Sequence, residues 1–177
     1  MVFDPAITLS ELTQESSSCV SMGILKLSSQ ETLLASVYLE PQLETTAASA
    51  RLQMVGDAMG RRCPGRALIG SDCNGWSVWW GSPTANERGD MVADFLAQHD
   101  LNILNVGCTP TFETLRGTRE LASHTDITAC GSGLLNMVHG WKVCRDLIPS
   151  SDHNPIIFGL GVTGAVCWRL YQALYGQ

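Results

Sequence analysis

Charge is scarce in this chain, and positive charge most of all. Only 16% of the 177 residues are charged, and 11 Lys and Arg stand against 17 Asp and Glu, a net charge of −6. A passive nucleic-acid-binding module is normally basic, so that class is disfavoured. An enzyme whose acidic cluster holds a cation that meets phosphate is not. No apolar run approaches the roughly 18 residues needed to cross a bilayer. The opening Met-Val-Phe-Asp-Pro has neither the basic nor the apolar region of a signal peptide. Cys-x-x-Cys pairs are also missing. The seven cysteines, at 19, 63, 73, 108, 130, 144 and 167, are dispersed and odd in number. That pattern suits reduced intracellular thiols better than a zinc site. What is present is a 45% hydrophobic composition in a length that allows one domain with a real core.

The apolar residues fall into two periods. Val20, Met22 and Ile24 alternate as on a strand. Polar Ser28–Glu31 reads as a turn. Leu33–Leu39 is nearly all apolar, as in a strand covered on both faces, and Pro41 closes it. Leu52, Val55 and Met59 mark a helix over 44–60, and Met91, Val92, Phe95 and Leu96 mark a second after Asn86. Further strands are predicted at 66–72, 101–106, 124–129, 141–147 and 154–160. Strands interrupted by two helices predict a mixed α/β architecture with helices outside. Residues 1–160 form the predicted domain. Residues 161–177 change character, with Trp168, Leu170, Tyr171, Leu174 and Tyr175 at the spacing of an amphipathic helix.

Three polar clusters interrupt this pattern. The strand Arg66–Asp72 ends on a carboxylate and, two residues later, an amide, Asn74. In an extended chain both point to one side, at a strand end where α/β proteins place chemistry; a helix cap or Asx-turn explains the pair as well. Asp126 lies within a strand-like segment, on the same face as Thr128. A buried carboxylate needs a partner, and His153 is available; the alternative is an edge-strand Asp facing water. Ser151-Asp152-His153-Asn154 puts a metal-capable carboxylate beside a titratable imidazole, though a turn accounts for it equally. Tyr38 ends an apolar strand and can pack while presenting its hydroxyl at a rim. Trp76, Trp79 and Trp80 are read as packing residues in preference to a platform for stacking bases. His99, His124 and His139 share no spacing that makes a metal site, and Thr109–Phe112 reads as a turn.

Taken in order, Ser36-Val-Tyr-Leu-Glu-Pro41, Ile69-Gly-Ser-Asp-Cys-Asn74, Trp80-Gly-Ser82, Asn86-Glu-Arg-Gly89, Pro110-Thr-Phe112, Asp126-Ile-Thr128, Trp141-Lys-Val143 and Ser151-Asp-His-Asn154 resemble the endonuclease/exonuclease/phosphatase superfamily. Within it they are most similar to the AP-endonuclease-like domain of non-LTR retrotransposons. The resemblance implies a DNase I-like four-layer α/β/β/α sandwich. It also implies metal-dependent hydrolysis of a DNA phosphodiester, nicking target DNA to prime reverse transcription. By that resemblance Asp72 orients or deprotonates the attacking water, Asn74 holds a phosphate oxygen, and Asp126 pairs with His153. His153 binds the scissile phosphate or takes a proton, Asp152 helps to hold Mg²⁺ (or Mn²⁺), and Tyr38 supports the leaving-group side. Thr111, with Ser151, lies on the DNA-contacting side. The partners implied are DNA and a reverse transcriptase domain of the same element, with no membrane; the compartment implied is intracellular, the nucleus for a eukaryotic element.

The sequence departs from the family at its start. Neither the Asn-bearing first strand nor the Glu of a Gln-Glu-Pro-like turn, a principal metal ligand, has a counterpart, so the sandwich is expected to lack its N-terminal strands. Glu11 and Glu15 lie in what reads as a polar loop. Loss of a carboxylate ligand weakens a Mg²⁺ site, and missing strands leave edges and apolar faces uncovered. Gly75-Trp76 stands where relatives often carry Ala-His or Ala-Asn, and Ser71 where many have glycine. Two alternatives follow: a non-catalytic remnant that at most binds nucleic acid or partners, or the same fold acting as a phosphatase or phosphoinositide phosphodiesterase. The Trp-Gly-Ser and Asn-x-Arg-Gly segments speak against the last.

Overall fold

A computed structural model describes residues 7–27, 29–145, 147 and 151–161. The C-terminal extension, read as either an amphipathic helix or a segment with no role, lies outside these residues beyond Gly161. Strands β1 (Ile7–Glu11), β2 (Val20–Leu27) and β3 (Gln30–Tyr38) form an antiparallel run. Helix α1 (Thr45–Arg62) then crosses over to β4 (Ala67–Asp72), which runs parallel to β3. Helix α2 (Glu87–Gln98) leads into the short β5 (Leu101–Ile103). A hairpin follows, β6 (Phe112–Arg116) with β7 (Arg119–Ser123). Strand β8 (Asp126–Gly131) inserts between β4 and β5, and β9 (Val138–Val143) pairs with β10 (Ile156–Leu160). The main sheet therefore has the order β1-β2-β3-β4-β8-β5.

The period-2 pattern of the central strands decides what each face meets. Leu33, Ala35 and Val37 of β3, Ala67 and Ile69 of β4, and Ile127 and Ala129 of β8 share one core with Leu52, Val55 and Met59 of α1 and Val92, Phe95 and Leu96 of α2. The alternate residues, Leu68 and Cys130 among them, pack with Ile156, Phe158 and Leu160 of the small β9–β10 sheet. The described residues thus supply three layers, helices on a main sheet on a second sheet. The start of α2 and the last turn of α1 have local causes. Asn86 caps α2 by accepting from Gly89 N at 2.8 Å. Arg61 and Arg62 sit in the last turn of α1, where the helix dipole favours them, and both reach Glu15.

The inner face of the main sheet carries two rows that matter. Ser21, Ser36, Gly70 and Thr128 lie in register across β2, β3, β4 and β8. These small residues floor an apolar cleft of about 350 Å³ between the sheets, roofed by Ile156 and Phe158. One pleat further along, Tyr38, Asp72 and Asp126 form the next row.

The polar segment around Glu11 is no loop: Ile7–Glu11 pairs fully with β2, and Glu15 occupies the turn that follows. The segment from Thr109 likewise passes from its turn into a strand at Phe112.

Candidate active site

The inner row gathers the site because three strand ends coincide. Tyr38 and Asp72 are the last residues of parallel neighbours, and Asp126 is the first residue of the antiparallel strand beside them. His153 joins from the loop before β10. Its Nδ1 lies 3.0 Å from Asp126 Oδ2, and its Nε2 lies 3.9 Å from Asp72 Oδ2. The ring is held edge-on against Phe112, with centroids 5.0 Å apart. Ser151 fixes the loop by accepting from His153 N at 3.1 Å. The sequence-predicted partnership of Asp126 and His153 is thus a hydrogen bond in the structure, and Asp126 sits in an interior strand with no edge to water.

The two carboxylates differ in their surroundings. Asp72 is 4% exposed and accepts from Asn74 N at 3.3 Å. Burial, and then the charge of Asp126, raise its pKa to about 6, against the pull of His153 and Asn74. Burial of His153 acts to lower its pKa. The hydrogen bond to Asp126 and the charges of Asp126, Asp72 and Asp152 outweigh it, and the imidazole titrates above its ordinary value. Tyr38 is raised by burial and by Asp72 and Glu40, so its phenol stays protonated. Glu40 is ion-paired: its bond to Arg51 holds its pKa down at about 2. Arg51 also donates to Tyr38 O at 2.6 Å, clamping the strand end.

Residues 32–157 match the family profile described as endonuclease-reverse transcriptase. This chain belongs to that family. The endonuclease domain of TRAS1, a telomere-specific non-LTR retrotransposon, superimposes with a TM-score of 0.83 at 32% identity, covering 92% of this chain and 72% of that one. The RNA-directed DNA polymerase from mobile element jockey of Drosophila melanogaster is 28% identical over 132 residues, 73% of this chain and 13% of that protein. This chain therefore spans about an eighth of that relative's length. A 3'-5' exonuclease from Neisseria meningitidis shares the fold at 16% identity, with a TM-score of 0.61, covering 88% of this chain and 70% of that one. The chain is a member of the endonuclease/exonuclease/phosphatase superfamily with the DNase I-like fold, and of its non-LTR retrotransposon branch.

Within this family setting, several residues sit differently from the sequence reading. Asn74 does not share a strand face with Asp72. The chain leaves the strand, and Asn74 adopts a left-handed φ of 45°. Its amide donates to Leu39 O at 3.0 Å, so Asn74 ties the ends of β3 and β4 together while turning back over Asp72. Thr111, expected against the DNA backbone, is 1% exposed. Its Oγ1 accepts from Thr125 N at 3.1 Å and Asp126 N at 3.0 Å, which makes it a positioning residue for Asp126. Ser151 and Asp152 are exposed on the rim. Of the three tryptophans read as packing, only Trp80 is buried; Trp76 is 45% and Trp79 71% exposed. Two contributors escaped the sequence. Asn105 holds β8 in place of a ladder bond, donating to Asp126 O at 3.0 Å and accepting from Thr128 N at 2.8 Å. Phe112, quoted only as part of a motif, orients the imidazole.

No three His, Cys, Asp or Glu side chains gather as a metal cluster among the described residues. Asp72 nevertheless fits a hard cation. Its buried carboxylate has a single long backbone donor and a like charge opposite, and Mg²⁺ is commonly held by one or two carboxylates plus substrate phosphate.

Proposed function

We propose that this chain is a divalent-cation-dependent DNA endonuclease domain that nicks target DNA beside a reverse transcriptase in the nucleus. The observation that carries the reading is the convergence of Asp72 and His153. At 3.9 Å they are too far apart to bond directly, and each can reach one oxygen placed between them. Asp126 fixes the imidazole so that Nε2 is the nitrogen aimed at that point.

Asp72 orients the attacking water and takes its proton. Water adds to phosphorus, the P–O3′ bond breaks, and the departing oxygen takes a proton from solvent water to become the 3′-hydroxyl that primes synthesis. His153, protonated through Asp126, binds the phosphate as a cation. Tyr38, kept protonated, serves the leaving-group side, and the second amide hydrogen of Asn74, the first being given to Leu39 O, holds a phosphate oxygen. Asp72 and Asp152 are the carboxylates that hold Mg²⁺ or Mn²⁺. The ion supplies charge neutralisation at the phosphate.

The alternative is a non-catalytic remnant that at most binds nucleic acid or partners. Plasmid nicking with Mg²⁺ separates the two. The expected result is weak, EDTA-sensitive nicking lost in Asp72→Ala and His153→Ala. Nicking that both variants retain, or no nicking by the unmodified protein, rejects the endonuclease.

A further inference from the structure

The loop after the strand carrying Asp72 is built to hold an indole in solvent. Trp76 N donates to Asn86 Oδ1 at 2.9 Å, and Asn86 N donates back to Trp76 O at 3.0 Å. The glycines on either side of this clamp sit in close contact, and the one at Gly89 is required by it. A Cβ at Gly89 would lie 1.8 Å from Trp76 O, and one at Gly75 would lie 3.0 Å from Gly89 N. Beneath the loop, buried Trp80 donates from its indole nitrogen to Gly75 O at 3.2 Å. The backbone at Trp76 is therefore pinned to the start of α2 and to the core, while its side chain is left 45% exposed. A large apolar ring on a rigid mount binds with little ordering penalty.

The exposed Trp76 stands at the edge of a recess. Together with Pro41, Asn74, Phe112 and His153 it lines a cleft of about 300 Å³ that is continuous with the site. The lining contains no Lys or Arg, so away from His153 and Asn74 it offers little grip on a phosphate chain. Aromatic walls of this size suit a flat, uncharged π-face, and base stacking on aromatic side chains tolerates any base.

We propose that Trp76 stacks a nucleobase next to the scissile phosphate, so that the substrate presents an unstacked nucleotide there. This deepens the endonuclease reading and rests on it for the identity of the cleft. An unstacked base occurs in single strands, bulges and mismatches, so these are bound in preference to fully paired duplex.

The test is binding of a short labelled single-stranded oligonucleotide by the 177-residue protein in EDTA, read by fluorescence anisotropy. Trp76→Ala is expected to weaken binding on the order of ten- to a hundredfold, Trp76→Phe to restore most of it, and Trp79→Ala to stay within about twofold. Thermal melts of all three should match the unmodified protein, because the loop is held through backbone atoms. A probe with abasic sites should lose affinity for the unmodified protein and show no further loss with Trp76→Ala. Unchanged affinity in Trp76→Ala, an equal abasic penalty in both proteins, or no binding by the unmodified protein overturns the proposal. Plasmid nicking, run in parallel, reports on the endonuclease reading separately. If nicking fails while Trp76→Ala still weakens binding, hydrolysis falls and stacking stands. If nicking holds while affinity is unchanged, stacking falls alone.

Discussion

Asp72 and Asp126 are direct partners across two antiparallel strands, two buried carboxylates side by side on the inner face of the main sheet. Such a pair is unfavourable unless something answers its charge. Here the answer is divided: His153 serves Asp126, and Asp72 is left to substrate and cation. The geometry therefore trades stability for a reactive carboxylate.

That trade can be measured through Asp72→Asn. The folded-state pKa of Asp72 is raised from 3.8 to about 6, so the protonated form is favoured by folding. Its contribution is fully present below pH 3.8 and is lost as pH rises through about 6. At 1.36 kcal/mol per pH unit this rise is worth about 3 kcal/mol. The amide keeps an acceptor for Asn74 N and carries no charge. Urea unfolding at pH 7.5 in EDTA should show the variant more stable by about 1–3 kcal/mol, with the difference shrinking toward pH 4, while nicking is abolished. A variant no more stable than its parent at pH 7.5 would show that Asp72 does not bear the burial cost assigned to it.

The second carboxylate sets the protonation of the imidazole. His153 is raised above its ordinary value against its own burial, mainly by Asp126. In Asp126→Asn the hydrogen bond is weakened and the charge removed, while burial remains, so the His153 pKa should fall. NMR titration of the ring reads this directly. In turnover, a cationic His153 at the phosphate is lost as pH rises, so the alkaline limb of the nicking profile should move to lower pH in Asp126→Asn. The loss should be larger at pH 8 than at pH 6.5. The limbs belong to the coupled Asp72–His153–Asp126 group and not to single residues. An unmoved alkaline limb would remove His153 from the role of phosphate-binding cation.

How much of this was legible in the sequence depended on burial. Strands covered on both faces, Leu33–Tyr38 and Ala67–Asp72, show as apolar runs, and both helices show through their apolar stripes. The β6–β7 hairpin was missed because it is half-exposed and carries Glu113, Arg116, Arg119 and Glu120, so neither face gives a hydrophobic signal. β1 has one buried residue, Ile7, in five. At the site, the need of a buried Asp126 for a partner pointed to His153. The direction of Asn74 was misread because a left-handed residue breaks the alternation on which the inference rested. The exposure of Trp76 was illegible, since spacing alone does not distinguish a packed indole from a presented one. What placed it in solvent was close approach between two glycines fourteen positions apart, Gly75 and Gly89, which only the fold brings together.

Thr111 is where position and chemistry can be separated. Its hydroxyl accepts from two successive backbone amides, Thr125 and Asp126, at the bend that starts β8. Thr111→Val keeps the shape and leaves both buried donors unanswered, so it should destabilise the fold by about 1–3 kcal/mol. Thr111→Ser retains the acceptor and should recover most of that loss. Because Asp126 is then held less firmly, Thr111→Val should also lower the His153 pKa and reduce kcat for nicking, with little change in oligonucleotide affinity. A residue that touched the DNA backbone would behave in the opposite way. Its loss would weaken binding and leave both the imidazole titration and the unfolding curve near those of the parent. Chemical denaturation, ring titration and anisotropy on the same two variants therefore decide between a support for Asp126 and a contact with substrate.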